Sequence, residues 1–81
     1  MLTLKDVRDI LTTQGNELVE YLSDDSLANA RFWDELEMDS IDLENLKADI
    51  EYKKELQIPD DLVSMNDTVR EFIDRINEAN F

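Results

Sequence analysis

The sequence predicts an all-α fold, a small four-helix bundle with three main helices and one short helix. The 81-residue chain has a single glycine and a single proline, which favours helices because both residues interrupt them. Apolar residues recur at i, i+3 and i+4, and no period-2 run is long enough for a strand. We therefore expect residues 1–81 to form a single domain of marginal stability, as is usual at this length.

The first main helix is predicted to begin after Thr3, which has an N-cap side chain and is followed by an acid three residues later. Gly15 either ends this helix or only weakens it. The second alternative stays open because the apolar stripe continues beyond Gly15 as far as Leu22. Residues 23–26 have turn-forming side chains, and a long connection to the second helix follows. We expect Trp33 to anchor that connection to the core.

The other end of the chain contains the last main helix and the short helix. A helix rarely continues through the residue before a proline, so we expect the second helix to end before Pro59 and the short and last helices to follow it. The short helical turn is predicted over residues 60–65. Thr68 and Glu71 have the form of a capping box, and apolar residues at helical spacing begin at Val69.

The second main helix is predicted to run from Asp39, as its N-cap, to about Lys54, with Asp42 placed favourably for the helix dipole. At about 100° per residue this helix carries apolar residues on two opposite sides. The core face consists of Leu43, Leu46 and Ile50. A smaller apolar patch on the other side consists of Ile41, Ala48 and Tyr52.

The composition limits the possible functions. Eight basic residues oppose 21 acidic ones, for a net charge of −13, and the chain has no histidine and no cysteine. The charge disfavours nucleic acid and anionic membranes and favours a protein partner with a basic patch. The absence of histidine removes the commonest general base and metal ligand, and the absence of cysteine removes thiolate chemistry. Since an all-helical domain of this length also offers little room for a water-excluding cleft, we expect no catalytic residues, no metal site and no enzyme activity. No apolar run approaches about 18 residues, so we expect no membrane insertion and a cytoplasmic location.

The segment Asp39-Ser40-Ile41 stands at the predicted start of the second helix, within a longer ordered pattern. That pattern also comprises Phe32, Leu36, Ile58-Pro59-Asp60, Thr68, Val69, Ile73, Asp74 and Ile76. The set resembles the acyl carrier protein family, a family of helical bundles with a D-S-L or D-S-I motif at the start of the second helix. The match runs without a gap from about Ala30 to Ile76.

The resemblance implies a single carrier domain of the acyl carrier protein type. Ser40 would be the attachment point for 4′-phosphopantetheine, which a phosphopantetheinyl transferase moves from coenzyme A with the help of Mg²⁺, and Asp39 would help that transferase recognise the site. The arm would hold an acyl group as a thioester for enzymes of fatty acid, polyketide or related lipid or secondary-metabolite biosynthesis. The carrier itself would be a monomer.

The resemblance also implies a partner-binding surface and an acyl cavity. The partner-binding residues would be Ile41, Asp42, Asn45, Ala48, Glu51 and Tyr52, and the cavity would be lined by Leu46 and Ile50. Four acids of the helix, Asp42, Glu44, Asp49 and Glu51, would steer basic patches of the acyl-loading and acyl-processing enzymes.

The sequence departs from the family pattern at several positions. Glu37 stands where glycine is usual and Lys47 where an apolar residue is common, while Asn45 and Tyr52 replace acids that commonly contact partners. These differences favour a specialised carrier over a housekeeping one. Aminoacyl or peptidyl cargo stays open, as does an acidic helical interaction module without a prosthetic group. An EF-hand is disfavoured because Gly15 lacks the required flanking ligands.

Overall fold

The computed structural model describes all residues, Met1–Phe81, and consists of helices and connecting turns. The elements are α1 (Leu4–Thr13), a 3₁₀ helix (Glu17–Tyr21), α2 (Asp24–Ala28), α3 (Ser40–Lys54) and α4 (Val69–Asn80). The prediction of a small all-helical fold with four α-helices is confirmed. None of these helices has the length and apolar character needed to cross a lipid bilayer.

The short helix is α2, so its prediction at residues 60–65 is wrong. Ser23, which has a turn-forming side chain, serves instead as an N-cap and accepts a hydrogen bond from the Ser26 N–H at 3.2 Å. Leu27 is fully buried and fastens this helix to the core. Because the residue types that form turns also cap helices, the local sequence did not distinguish the two.

Residues 60–65 form turns because their backbone N–H groups do not make the hydrogen bonds of a continuous helix. A single bond, from the Leu62 N–H to the Pro59 carbonyl at 3.0 Å, starts a turn. The Ser64 N–H then donates to Asp67 Oδ2 at 2.9 Å, which closes a loop instead of extending a helix. Asp67 is itself buried and receives a hydrogen bond from Arg75 of α4 at 2.8 Å.

The first helix ends before the apolar stripe does. α1 stops at Thr13, and Gly15 follows with φ of 88°, a left-handed conformation that glycine adopts without steric cost. Asn16 then caps the 3₁₀ helix, in which Val19 is buried and Tyr21 is exposed. The stripe beyond Gly15 therefore belongs to a separate element with its own inward face.

The core is a single cluster of 19 buried residues from all five helical elements, the N-terminal segment and the two connections that flank α3. At its centre the rings of Phe32 and Phe72 meet edge to face, with centroids 4.9 Å apart and planes at 67°, a favourable aromatic geometry. The expected anchor, Trp33, is 52% exposed. Phe32 fills the core position instead, because adjacent residues of this turn point in different directions.

Two asparagines of α4 fasten non-helical segments to the bundle. Asn77 accepts from the Leu2 N–H at 2.8 Å and donates to the Leu2 carbonyl at 2.9 Å. Asn80 makes the same pair of bonds with Gln57, each at 2.9 Å. Each amide side chain thus satisfies both backbone groups of one residue outside the helices.

Candidate functional site

The start of α3 is fixed by a reciprocal capping box. The Asp39 side chain accepts from the Asp42 N–H at 2.8 Å, and Asp42 Oδ2 accepts from the Asp39 N–H at 3.1 Å. Asp39 has an extended backbone, with φ of −102°, as an N-cap residue requires. The predicted cap and the predicted extent of this helix, to Lys54, are confirmed.

Ser40 is the first residue of α3 and is exposed. The capping box is made by Asp39 and Asp42, so the Ser40 hydroxyl takes no part in its hydrogen bonds. A hydroxyl in this position is accessible to an enzyme that would modify it. The N–H groups of the first helical turn and the helix dipole favour a negative charge such as a phosphodiester at this end.

The turn before α3 is folded tightly onto the core. The Met38 N–H donates to the Phe32 carbonyl at 2.8 Å, and Leu36 and Met38 are both buried. Between them Glu37 has φ of 51°, in the left-handed region that is costly for a residue with a Cβ atom. This is the position at which glycine is usual in the family that the sequence resembles.

The two faces of α3 are as the sequence predicts. Leu43, Leu46 and Ile50 are buried in the core. All six residues expected to contact partners are exposed, namely Ile41, Asp42, Asn45, Ala48, Glu51 and Tyr52. Ile41 is 68% exposed and Tyr52 is 85% exposed. Their exposure is observed, whereas their role in partner binding stays a prediction.

Three acids of α3 are held by neutral donors of the protein. Besides Asp42 in the capping box, Asp49 Oδ2 accepts from the Gln14 side-chain amide at 2.7 Å. Glu51 Oε2 accepts from the Ile58 N–H at 3.3 Å. These donors are uncharged, so they restrain the three side chains without forming an ion pair with them.

Lys47, which stands where an apolar residue is common in the family that the sequence resembles, is buried in the structure. It lies on the core side of α3 and is only 4% exposed, and its Nζ pairs with Glu44 Oε1 at 2.9 Å. Glu44 remains exposed to solvent, whereas only 5% of the Lys47 side chain is exposed, so this ion pair joins a buried lysine to a solvated acid. The charge of Glu44 is thereby balanced within the helix.

The residues expected to line an acyl cavity pack tightly in this structure. Leu46 and Ile50 are fully buried, and neither lines any of the three cavities present. Their role as cavity lining therefore stays a prediction, and it requires the core to open around a bound chain.

The largest cavity, of about 300 Å³, lies beside the start of α3 and is called the cap cavity below. Its apolar lining consists of Leu11, Leu18, Leu36 and Met38. Its acidic lining consists of Glu17, Glu37 and Asp42, and its remaining lining is Gln14, Gly15 and Asn16. Sequence reasoning missed this site, because only the tertiary fold brings the end of α1 against the turn before α3.

Two carboxylates at helix starts, those of Glu71 and Asp6, have lowered pKa values. Hydrogen bonds from the Thr68 backbone and then its side chain lower the pKa of Glu71 from its ordinary value of 4.5. For Asp6, burial acts to raise the pKa, but hydrogen bonds from Thr3 and from Lys54 outweigh it and the net pKa is lowered. The Lys54 Nζ lies 3.3 Å from Asp6 Oδ2 and so links the end of α3 to α1.

Comparison with known proteins gave no match. No protein-family model matches the chain, and neither a curated protein nor a solved structure matches it.

Proposed function

We propose that this chain is an acyl carrier protein whose Ser40 carries 4′-phosphopantetheine. The observation that carries the proposal is the exposed Ser40 as first residue of a capped helix, with its hydroxyl outside the capping box. The left-handed Glu37, where the family usually has glycine, is further support. The proposed type of bundle is that of the acyl carrier proteins.

In the proposed reaction, the Ser40 Oγ attacks the β-phosphate of coenzyme A on a phosphopantetheinyl transferase. A phosphodiester bond forms to Ser40, 3′,5′-ADP leaves, and the hydroxyl proton passes to a base of the transferase, which also supplies Mg²⁺. Asp39 holds the helix start and contributes to recognition of the site. The arm supplies the thiol on which an acyl group is carried as a thioester.

The proposed partner surface is the exposed face of α3 around Ile41, Ala48 and Tyr52. A solvent-facing apolar strip flanked by acids suits a partner with an apolar pocket and a basic rim. The partners would be the transferase and the acyl-loading and acyl-processing enzymes, with the carrier acting as a cytoplasmic monomer that has no catalytic residues of its own.

The first test is intact mass after incubation with coenzyme A, Mg²⁺ and a broad-specificity phosphopantetheinyl transferase. We expect one phosphopantetheine to be added to the wild type and none to Ser40→Ala. Ser26→Ala is the matched control, since Ser26 is also an exposed serine in the first turn of a helix, and it should be modified like the wild type. A folded wild type that several transferases leave unmodified would contradict the proposal.

The departures at Glu37, Asn45, Lys47 and Tyr52 favour a specialised carrier for a dedicated pathway. After phosphopantetheinylation, we expect this protein to support malonyl transfer and elongation by a standard fatty acid synthase poorly, compared with a housekeeping carrier. Efficient elongation would contradict the specialised role and leave the carrier function standing.

The second candidate is an acidic helical interaction module without a prosthetic group. The same exposed strip of α3 and the net charge of −13 favour it. It predicts an unmodified Ser40 together with binding to a basic protein partner that Ile41→Ser weakens.

A further inference from the structure

The ion pair of Glu44 and Lys47 connects the exposed face of α3 to its buried face. At about 100° per residue, Glu44 lies between Lys47 and the apolar strip of α3. The side chain of Glu44 is 64% exposed, whereas that of Lys47 is 5% exposed. Leu43 and Ile50, four residues before Lys47 and three residues after it, are its buried neighbours on the helix. A group that contacts the strip can therefore reach an acid that is paired with a buried lysine.

Lys47 depends on this ion pair more than Glu44 does. It is the only buried cation of the chain, and Glu44 is its only ion-pair partner. The other buried charged residue, Asp67, is held by Arg75 and also by the Ser64 N–H. A buried charge that loses its partner is unfavourable, whereas an exposed acid exchanges one cation for another, or for water, at little cost. Loss of Glu44 from the pair should therefore disturb the core, although Glu44 itself lies in solvent.

We propose that this ion pair couples the binding of a basic partner to the packing of the core. The inference rests on the proposed partner surface of α3, which the carrier and the interaction module share. A lysine or arginine of the partner that pairs with Glu44 competes with Lys47, whose ammonium then swings into solvent. The core beside Leu43 and Ile50 loosens as a result, because interiors are close-packed. Such loosening is what the fully buried Leu46 and Ile50 need before an acyl chain can lie against them.

The first arm of the test replaces the partner by a substitution. Glu44→Gln removes the negative charge and keeps the shape of the side chain, so Lys47 loses its counter-ion. We expect the backbone amides of Leu46 and Ile50 to exchange with deuterium about threefold faster than in the wild type, as loss of a partly exposed ion pair predicts. In the Lys47→Met background, Glu44→Gln should have no effect on exchange. Glu78→Gln removes the same charge at an exposed position of α4 and, as the matched control, should exchange like the wild type.

The second arm adds a partner to the wild type and to Lys47→Met. The probe is the phosphopantetheinyl transferase without coenzyme A, so that no modification occurs, and the readout is methyl NMR. The Ile41 methyl groups are exposed and should shift in both proteins, which reports binding. The buried methyl groups of Leu43 and Ile50 should shift in the wild type in the direction that Glu44→Gln produces, and should not shift in Lys47→Met.

Four other results would each overturn the inference in a different way. Exchange of Glu44→Gln at the wild-type rate would show that Lys47 does not depend on its partner. Faster exchange caused by Glu44→Gln in the Lys47→Met background would show that Glu44 acts by another route. A shift of Ile41 without a shift of Ile50 would refute the coupling and leave the partner surface standing. An unshifted Ile41 would refute the partner surface together with the inference, whereas the carrier function is decided separately by the mass of the product at Ser40.

Discussion

The observed role of Asp39 as helix cap and its proposed role in recognition by the transferase are separable by substitution. Asp39→Ala removes the acceptor that the Asp42 N–H reaches at 2.8 Å, and loss of such a cap costs about 1 kcal/mol of unfolding free energy. In a domain of this size that lowers Tm by about 4–8 °C. Asp39→Asn keeps an acceptor oxygen and caps about equally well, losing only the smaller interaction of a charge with the helix dipole.

We therefore expect Tm to decrease only slightly in Asp39→Asn and clearly in Asp39→Ala, as measured by circular dichroism. The initial rate of phosphopantetheinylation, followed by intact mass, should fall in both variants, because both lose the charge proposed to help recognition. Thr68→Ala is the matched control: it removes the capping side chain of α4. It should lower Tm comparably and leave the loading rate unchanged.

Two results would refute this reasoning. If Asp39→Asn melts as low as Asp39→Ala, the cap is not what Asp39 contributes to stability. If Asp39→Asn is loaded at the wild-type rate, its charge has no part in recognition, and the proposal that Ser40 is the attachment point is not affected.

Three further predictions concern Glu37, Glu71 and Lys47. Residue 37 has a left-handed backbone, which costs glycine less than a residue with a Cβ atom. The unfolding free energy of Glu37→Gly, measured in urea, should therefore exceed that of Glu37→Ala by about 0.5–1 kcal/mol. Equal stability of the two variants would show that the backbone there is not strained. Because the pKa of Glu71 is lowered in the folded state, its ionised form stabilises the fold above pH 4.5, and this contribution is lost as the pH falls through the lower folded-state value. The Tm of Glu71→Gln should therefore decrease less than the Tm of the wild type when the pH is lowered from about 5 to about 3. Identical dependence of Tm on pH in the two proteins would contradict a stabilising role of the Glu71 carboxylate. Lys47→Met replaces a buried charge while its partner Glu44 stays in solvent, and should raise the unfolding free energy by about 1 kcal/mol in urea; a destabilised variant would mean that the ion pair outweighs its desolvation.

The parts of the fold that were predicted correctly depend on local interactions. The caps at Thr3, Asp39 and Thr68 each bond to a backbone N–H three residues later, so the sequence spacing alone specifies them. The inward face of α3 follows from helical periodicity in the same way. The start of α3, and therefore the position of Ser40 at its exposed end, could be predicted from the sequence in this way.

The parts that were missed depend on tertiary contacts. α2 is helical because Leu27 enters the core, whereas its first residues taken alone are typical of a turn. The choice between Phe32 and Trp33 as core residue depends on the direction of the turn, which the edge-to-face contact with Phe72 favours. The cap cavity likewise arises where separate elements meet, and no spacing in the sequence encodes it.

The four acids of α3 differ in what they contribute to the electrostatic field near Ser40. Glu44 is paired with Lys47, so its charge is largely balanced at close range. Asp42, Asp49 and Glu51 bond only to uncharged groups, so they are held in place without a paired cation. Side chains that are already restrained lose less conformational entropy when a partner binds. If a basic partner binds here as proposed, the field that attracts it comes from these three acids more than from Glu44, and it acts next to the apolar strip of α3.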